Sequence, residues 1–271
     1  MDWRVWRRRR RPLVTVLRLV GTIGSLPARG GLTAEGLEPL IEKAFAPKRL
    51  TAVALIVNSP GGSPVQSALI ADRIRSLADE KKVPVLCFVE DVAASGGYWL
   101  ATAADEIFAD PSSIVGSIGV ISAGFGFTGL AEKLGVERRL QTAGTRKSLM
   151  DPFLPVEPAD RDRLQRVLAE IHDRFKIQVR SRRGERLKAP EEELFTGEFW
   201  TGGKALELGL IDGLASAESL LRQRYGAKVR IHKLAPRRRL FPLRLSLKAE
   251  GAPEALLAAV ETRAHWGRYG L

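Results

Sequence analysis

Residues 52–97 read "AVALIVNSPGGSPVQSALIADRIRSLADEKKVPVLCFVEDVAASGG", and the order of patterns within them decides the fold. Ala52 to Val57 is apolar without a break, as expected of a strand buried on both faces of a parallel sheet. After the turn "NSPGG", Ser63 can cap a helix, Pro64 suits its first position and Gln66 completes a capping box, which predicts a helix to about Lys81. "PVLCFVE" (Pro84–Glu90) is a second buried strand, and it too runs into a turn of small residues, "AASGG".

The flanking sequence repeats this rhythm. "PLVTVLRLVGTIG" (Pro12–Gly24) is rich in β-branched residues and reads as a strand. Thr33 to Phe45 carries Leu37, Leu40, Ile41 and Ala44 at helical spacing, and "EIFAD" is a short strand after the second turn. Glu157 to about Arg183 predicts a long amphipathic helix with Leu164, Val167, Leu168, Ile171, Phe175 and Val179 as its apolar stripe. "APEEELFTGEFWTGGKALELGLIDGLASAESLLRQRYG" reads as helix, turn, helix, with "GLIDGL" as connector. Strand and helix in alternation predict an α/β fold with a mainly parallel sheet flanked by helices, and a C-terminal helical extension is expected beyond it.

Charge divides the chain. Six arginines against one aspartate in residues 1–11, and ten basic against three acidic residues in 226–271, carry the whole net charge of +12 and leave residues 12–225 neutral. The expected organisation is therefore a basic arm (1–11), a body (12–225) and a basic extension (226–271). Arginines interleaved with Trp3, Trp6, Leu240 and Phe241 suit an anionic membrane surface, and basic arms also contact nucleic acid. Arg18 cuts short the apolar run after the basic start, so no cleavable signal peptide is expected. Pro111 to Ala131 is uncharged and long enough to span a bilayer, but five glycines and several serines make it strands and turns beside a site. These readings predict a cytoplasmic protein able to touch the inner face of the membrane. The single cysteine, Cys87, excludes an internal disulfide or a cysteine metal cluster and reads as a buried small hydrophobe. No metal or cofactor is expected.

The two glycine turns follow two strands that end on the same edge of a parallel sheet, so Gly61, Gly62, Ser95 and Gly96 can converge there. Acyl transfer requires this arrangement. Backbone N–H donors must meet the oxyanion of a tetrahedral intermediate, and glycine lets backbone approach the substrate. A helix beginning at Ser95 would add its positive end. Each turn alone is unspecific; the pair, each after a strand, points to chemistry.

The segments "VNSPGGSPVQSA", "DVAASGGYWLATAADEIFADPSSIVGSIGVI", "TAGTRKSLMDPF" and "FTGEFWTGGKALELGLIDGL" occur in an order that resembles the protease IV or signal peptide peptidase A family, across roughly residues 13–225. The resemblance implies the fold shared by the Clp proteolytic subunit and the crotonases, and a serine–lysine dyad. Ser95 matches the nucleophile, Lys147 in "AGTRKS" the general base, and Gly62 with Gly96 the oxyanion donors. A lysine amine takes a proton only when neutral, a form that burial favours and that neighbouring Arg146 could assist. Ser117 is the expected partner orienting that amine, and Gly61, Tyr98, Ile118 and Val120 are expected around the substrate. His172, His232 and His265 are set aside as bases and read as surface or helix residues. Double-length relatives place serine and lysine in different halves; this chain has one copy of each, so the dyad is expected to assemble between subunits of a ring-like homo-oligomer.

The function expected is an ATP-independent serine endopeptidase acting on extended, largely apolar peptides such as signal-peptide remnants or unfolded protein. No phosphate-binding GxxxxGK[ST] motif is present. A crotonase-like hydratase or isomerase acting on an acyl-CoA thioester, and a non-catalytic membrane- or nucleic-acid-bound scaffold, are the alternatives.

Overall fold

The structure, a computed structural model, describes residues 11–24, 31–144, 146–234, 260 and 263–270. The basic arm over residues 1–10 and the arginine-rich stretch 235–259, to which the membrane-surface and nucleic-acid expectations attach, lie outside them. In chain order the elements are β1 (Leu13–Val20), α1 (Ala34–Phe45), β2 (Ala52–Ser59), α2 (Pro64–Lys81), β3 (Val85–Ala94), α3 (Gly96–Ala101), β4 (Glu106–Ala109), β5 (Ile114–Gly116), α4 (Thr128–Lys133), α5 (Pro158–Arg183), α6 (Glu191–Leu194), β6 (Phe199–Thr201), α7 (Gly202–Glu207), β7 (Gly213–Leu214), α8 (Ala217–Tyr225) and β8 (Arg230–Lys233). A helical turn at 263–267 follows.

The sheet order is β6-β5-β3-β2-β1-β8, and every pairing is parallel except β5 with β6. β3 forks: β4 lies beside Leu86–Val89 and β5 beside Val92–Ala94. The unbroken apolar run of β2 has the expected cause. Val53, Leu55 and Val57 face a core shared with Leu37, Ile41, Ile70, Ile74 and Phe175, while Ala52, Ala54 and Ile56 face a second core with Leu86, Phe88, Phe108 and Leu221.

Between Val57↔Val89 and Ser59↔Ala93 the register of β2 against β3 slips, so that β3 carries two extra residues there. Asn58 Nδ2 donates to Asp91 Oδ2 (2.6 Å) across the slip. The slip holds the end of β3 back by two positions, so that Ser95 lies level with Gly61 instead of Ser63.

Three local expectations are corrected. Ser63 does cap α2, accepting from Gln66 N (3.4 Å), but the reciprocal half of the capping box is absent. Ser63 N–H instead donates to Ile23 O (3.0 Å), which frees Gln66 Oε1 to accept from Ala34 N (2.8 Å) and tie the start of α1 to α2. The 189–226 segment is more than helix, turn, helix, because "FWT" forms β6 against β5 and "GL" forms β7 against β4. Runs of two or three residues carry no periodicity, and pairing to an existing edge makes them strands. Finally, the stripe of α5 is buried only in its second half, at Phe175 and Val179; Val167 is 50% exposed.

Cys87 pairs with Leu55 in the centre of the sheet and is fully buried. Burial pushes its thiol well above the ordinary range. A thiol-specific reagent such as DTNB is therefore expected to leave the native protein unmodified and to titrate one thiol once denaturant unfolds it. Stoichiometric reaction within minutes under native conditions would contradict this core.

Candidate active site

At the carboxyl edge of β3 the chain turns directly into α3, and Ser95 occupies the turn with φ +52° and ψ −122°. A non-glycine residue there stores about 1–3 kcal/mol of backbone strain. Two hydrogen bonds hold it: Ser95 N–H donates to Gly116 O (2.8 Å), and Ser95 O accepts from Trp99 N (3.0 Å). α3 has only six residues, all buried, so any contribution of its dipole is small and the fixed donors matter more.

The small residues around Ser95 are required by contact. A β-carbon on Gly61 (φ +99°) would lie 2.8 Å from Gly96 N and 2.9 Å from Ser95 Cβ. One on Gly62 (φ +145°) would lie 2.1 Å from Ile23 O, and one on Gly97 2.3 Å from Ser59 O. One on Gly96 would lie 3.3 Å from Gly62 N, so these two backbone nitrogens border the same space. Among the described residues neither the Gly62 nor the Gly96 N–H is spent on a hydrogen bond. Two free donors beside a strained serine are the parts that acyl transfer uses.

Ser95, Gly62 and Gly96 open into a cleft of about 670 Å³. Its apolar wall comes from Ile23, Trp99, Val120, Ile121, Ile171 and Phe175, with Trp99 stacked on Phe175 at 5.0 Å between ring centroids. Ser117 also lines it. This second serine has a left-handed backbone (φ +53°), and its N–H donates to Glu198 O (2.6 Å).

The structure thus brings together Ser95, Gly61, Gly62, Gly96, Ser117 and Val120. Two expected wall residues are corrected. Tyr98 is fully buried, with its hydroxyl donating to Leu210 O (2.7 Å), because α3 is packed on all sides and position 98 points into the core. The side chain of Ile118 is likewise in the core, since the left-handed Ser117 before it turns the chain inward. Lys147 stands on an exposed turn, with its N–H donating to Gly144 O (3.4 Å), and does not line the Ser95 cleft. It belongs to a projecting segment in which no described residue from Ile121 to Val156 is buried, although Phe125 is 82% and Leu134 68% exposed.

Three cleft residues are not expected there from the sequence: Trp99 is not singled out, Phe175 is placed only in the apolar stripe of α5, and His172 is set aside as a surface or helix residue. His172 lines the cleft, and its Nε2 is 3.0 Å from Ile118 O. The available signal was helical spacing: His172 follows Leu168 by four residues and precedes Phe175 by three, which puts it on the buried side of α5.

A parallel sheet of this topology with a strained serine, two free backbone donors and an apolar cleft presents the groups that acyl transfer uses at one edge of an α/β fold. The sequence matches the peptidase family S49 over residues 77–228, and the chain belongs to that family. It is 48% identical over 272 residues to a protein of Brucella abortus (strain 2308) named Na(+)/H(+) antiporter NhaA, covering 95% of this chain and 37% of that protein. Protease 4 of Haemophilus influenzae is 32% identical over 197 residues, covering 70% of this chain and 32% of that one. The chain thus spans about a third of the length of these curated relatives. The S49-matched residues lie within the part shared with the Brucella protein, and among the described residues no helix is long and apolar enough to cross a membrane. Among solved structures, a serine-to-alanine mutant of the 1510-N membrane-bound stomatin-specific protease aligns with TM-score 0.55 at 20% identity, over 84% of this chain and 99% of that one. A lysine-to-alanine mutant of the same protease, in complex with a substrate peptide, aligns with TM-score 0.55 at 19% identity, over 93% and 98%.

Proposed function

We propose that the chain is an ATP-independent endopeptidase with Ser95 as nucleophile and Lys147 of a neighbouring copy as general base, acting on extended, largely apolar peptides such as signal-peptide remnants or unfolded protein. The observation that carries this reading is the strained Ser95 turn facing the free N–H groups of Gly62 and Gly96 across one cleft. The apolar wall of Ile23, Trp99, Val120 and Phe175 favours small or hydrophobic side chains in the substrate.

In the reaction the neutral Lys147 amine takes the Ser95 hydroxyl proton as Oγ attacks the scissile carbonyl carbon. The carbonyl oxygen becomes an anion between the Gly62 and Gly96 N–H groups. Collapse breaks the C–N bond, and the lysine ammonium returns its proton to the leaving amine. Water then attacks the acyl-serine ester, giving its proton to the lysine; the acid product leaves and Oγ regains its hydrogen.

Supply of Lys147 by a second copy is favoured by its absence from its own cleft and by the exposed apolar surface of the segment that carries it. Phe125, Leu130, Leu134 and Val136 in an arm without buried residues form a surface for another subunit to cover. A mixing experiment tests this. Ser95→Ala and Lys147→Ala, each inactive alone, are expected to regain activity when dissociated together and reassembled, up to about a quarter of wild type for random assembly of a closed ring. No recovery in mixed assemblies confirmed by light scattering would overturn the shared site.

A further inference from the structure

The Ser95 cleft is also bounded by a distant part of the same chain: His265, Arg268 and Tyr269 line it. Tyr269 Oη donates to Ser117 Oγ at 3.3 Å, and its ring stands edge-on to Phe199, with centroids 5.1 Å apart and planes at 74°. His265, Trp266 and Tyr269 are half-buried, whereas Arg263, Ala264, Gly267, Arg268 and Gly270 are exposed. The segment therefore touches the body along one side only, unlike α3, whose Trp99 lines the same cleft and whose residues are all buried. Ser117 is rigidly presented by its left-handed backbone and its bond to Glu198 O, so the tyrosine finds a preformed partner.

We propose that residues 263–270 are a displaceable strap that closes the Ser95 cleft and competes with substrate for it. The inference rests on reading this cleft as the peptide site. Because Tyr269 also takes the Ser117 hydroxyl, the closed strap holds the group assigned to orient the Lys147 amine. The closed chain is then restrained twice over: its peptide path is bounded by the strap and the partner of its base is engaged. An entering peptide must lift the strap, and the loss of one edge-on aromatic pair corresponds to an affinity change of about 2- to 10-fold.

The test uses the full chain carrying Ser95→Ala, so that a fluorescein-labelled ten-residue peptide of alanine, leucine and valine binds without being cut. Fluorescence anisotropy is expected to give affinity about 2- to 10-fold tighter when Tyr269→Ala is added, with Tyr269→Phe, which loses only the hydroxyl, falling between. Hydrogen exchange separates a strap from a fixed wall: saturating peptide should speed exchange at amides 264–269, whereas a wall would be slowed or unchanged. Equal, weaker or undetectable binding by the Tyr269→Ala protein, or exchange in this segment that does not quicken, would overturn the proposal. The peptidase reading fails separately, if Ser95→Ala alone still hydrolyses peptide.

Discussion

Ser95→Ala is expected to lower hydrolysis of a fluorogenic apolar peptide by about 10⁴- to 10⁶-fold, and Lys147→Ala by a similar factor, with the double variant no worse than either. The serine and its base act as one unit, so removing the first group leaves the second nothing to do. Alanine at position 95 keeps the strained backbone, hence the fold and thermal midpoint should be unchanged. Ser95→Gly should be equally inactive yet more stable by about 1 kcal/mol, because glycine adopts φ +52° without a clashing β-carbon. That opposite movement of stability and activity is the signature of a residue held in strain for its chemistry. His172 provides the control: it lies in the cleft, so His172→Gln should stay within about tenfold of wild type if lysine is the base, since an accessory contact contributes far less than the proton acceptor. An active Ser95→Ala protein, or a dead His172→Gln protein that remains folded and assembled, would remove the dyad.

The second large effect concerns stability. Arg183 is 3% exposed; its Nη1 donates to Asp212 Oδ2 (2.7 Å), while Nε and Nη2 both donate to Gly209 O (3.0 and 2.7 Å). Asp212 Oδ2 also accepts from Ile107 N (2.7 Å) at the start of β4, and Oδ1 from Arg186 Nη1 (3.3 Å). Asp212→Ala leaves a buried guanidinium without its counter-charge and should cost about 3–5 kcal/mol, read as a fall in the urea midpoint with unchanged slope. Burial pushes the Asp212 carboxyl up, but the Arg183 hydrogen bond, the Ile107 N–H and the two arginine charges together hold it below the ordinary carboxylate range. A depressed carboxyl stabilises the fold fully above its unfolded value, about 3.9, and loses that contribution as pH falls through its lower folded value. Asp212→Asn should therefore flatten the stability profile in that acid window and shift the midpoint less than alanine does. A midpoint within 1 kcal/mol of wild type for Asp212→Ala would show the pair to be dispensable.

Much of this was legible before any coordinates. β2, α2 and the start of β3 follow from one unbroken apolar run, one proline-led cap and a second apolar run, because burial on both faces leaves a strand no polar positions. The convergence of Gly61, Gly62, Ser95 and Gly96 follows from parallel strands ending on one edge. What escaped reading was set by contacts distant in sequence. Position 98 is indistinguishable along the chain from a cleft-facing residue, and its burial is decided by Leu210, more than a hundred residues on. The half-covered stripe of α5 looks uniformly apolar in sequence, yet only its second half meets the core. The approach of Tyr269 to Ser117 has no local signal at all.

The two extra residues that β3 carries against β2 act as a length gauge. Each strand residue advances about 3.3 Å and reverses the face its side chain takes. A ladder of the same length with no slip would place the turn's hydroxyl two positions further on, level with Ser63 instead of Gly61 and roughly 7 Å past the glycine donors, while a slip of one would leave it on the wrong side of the sheet. Position and parity are thus fixed by the same short stretch, and the reach of this serine is set by a count of residues rather than by the identity of any one of them.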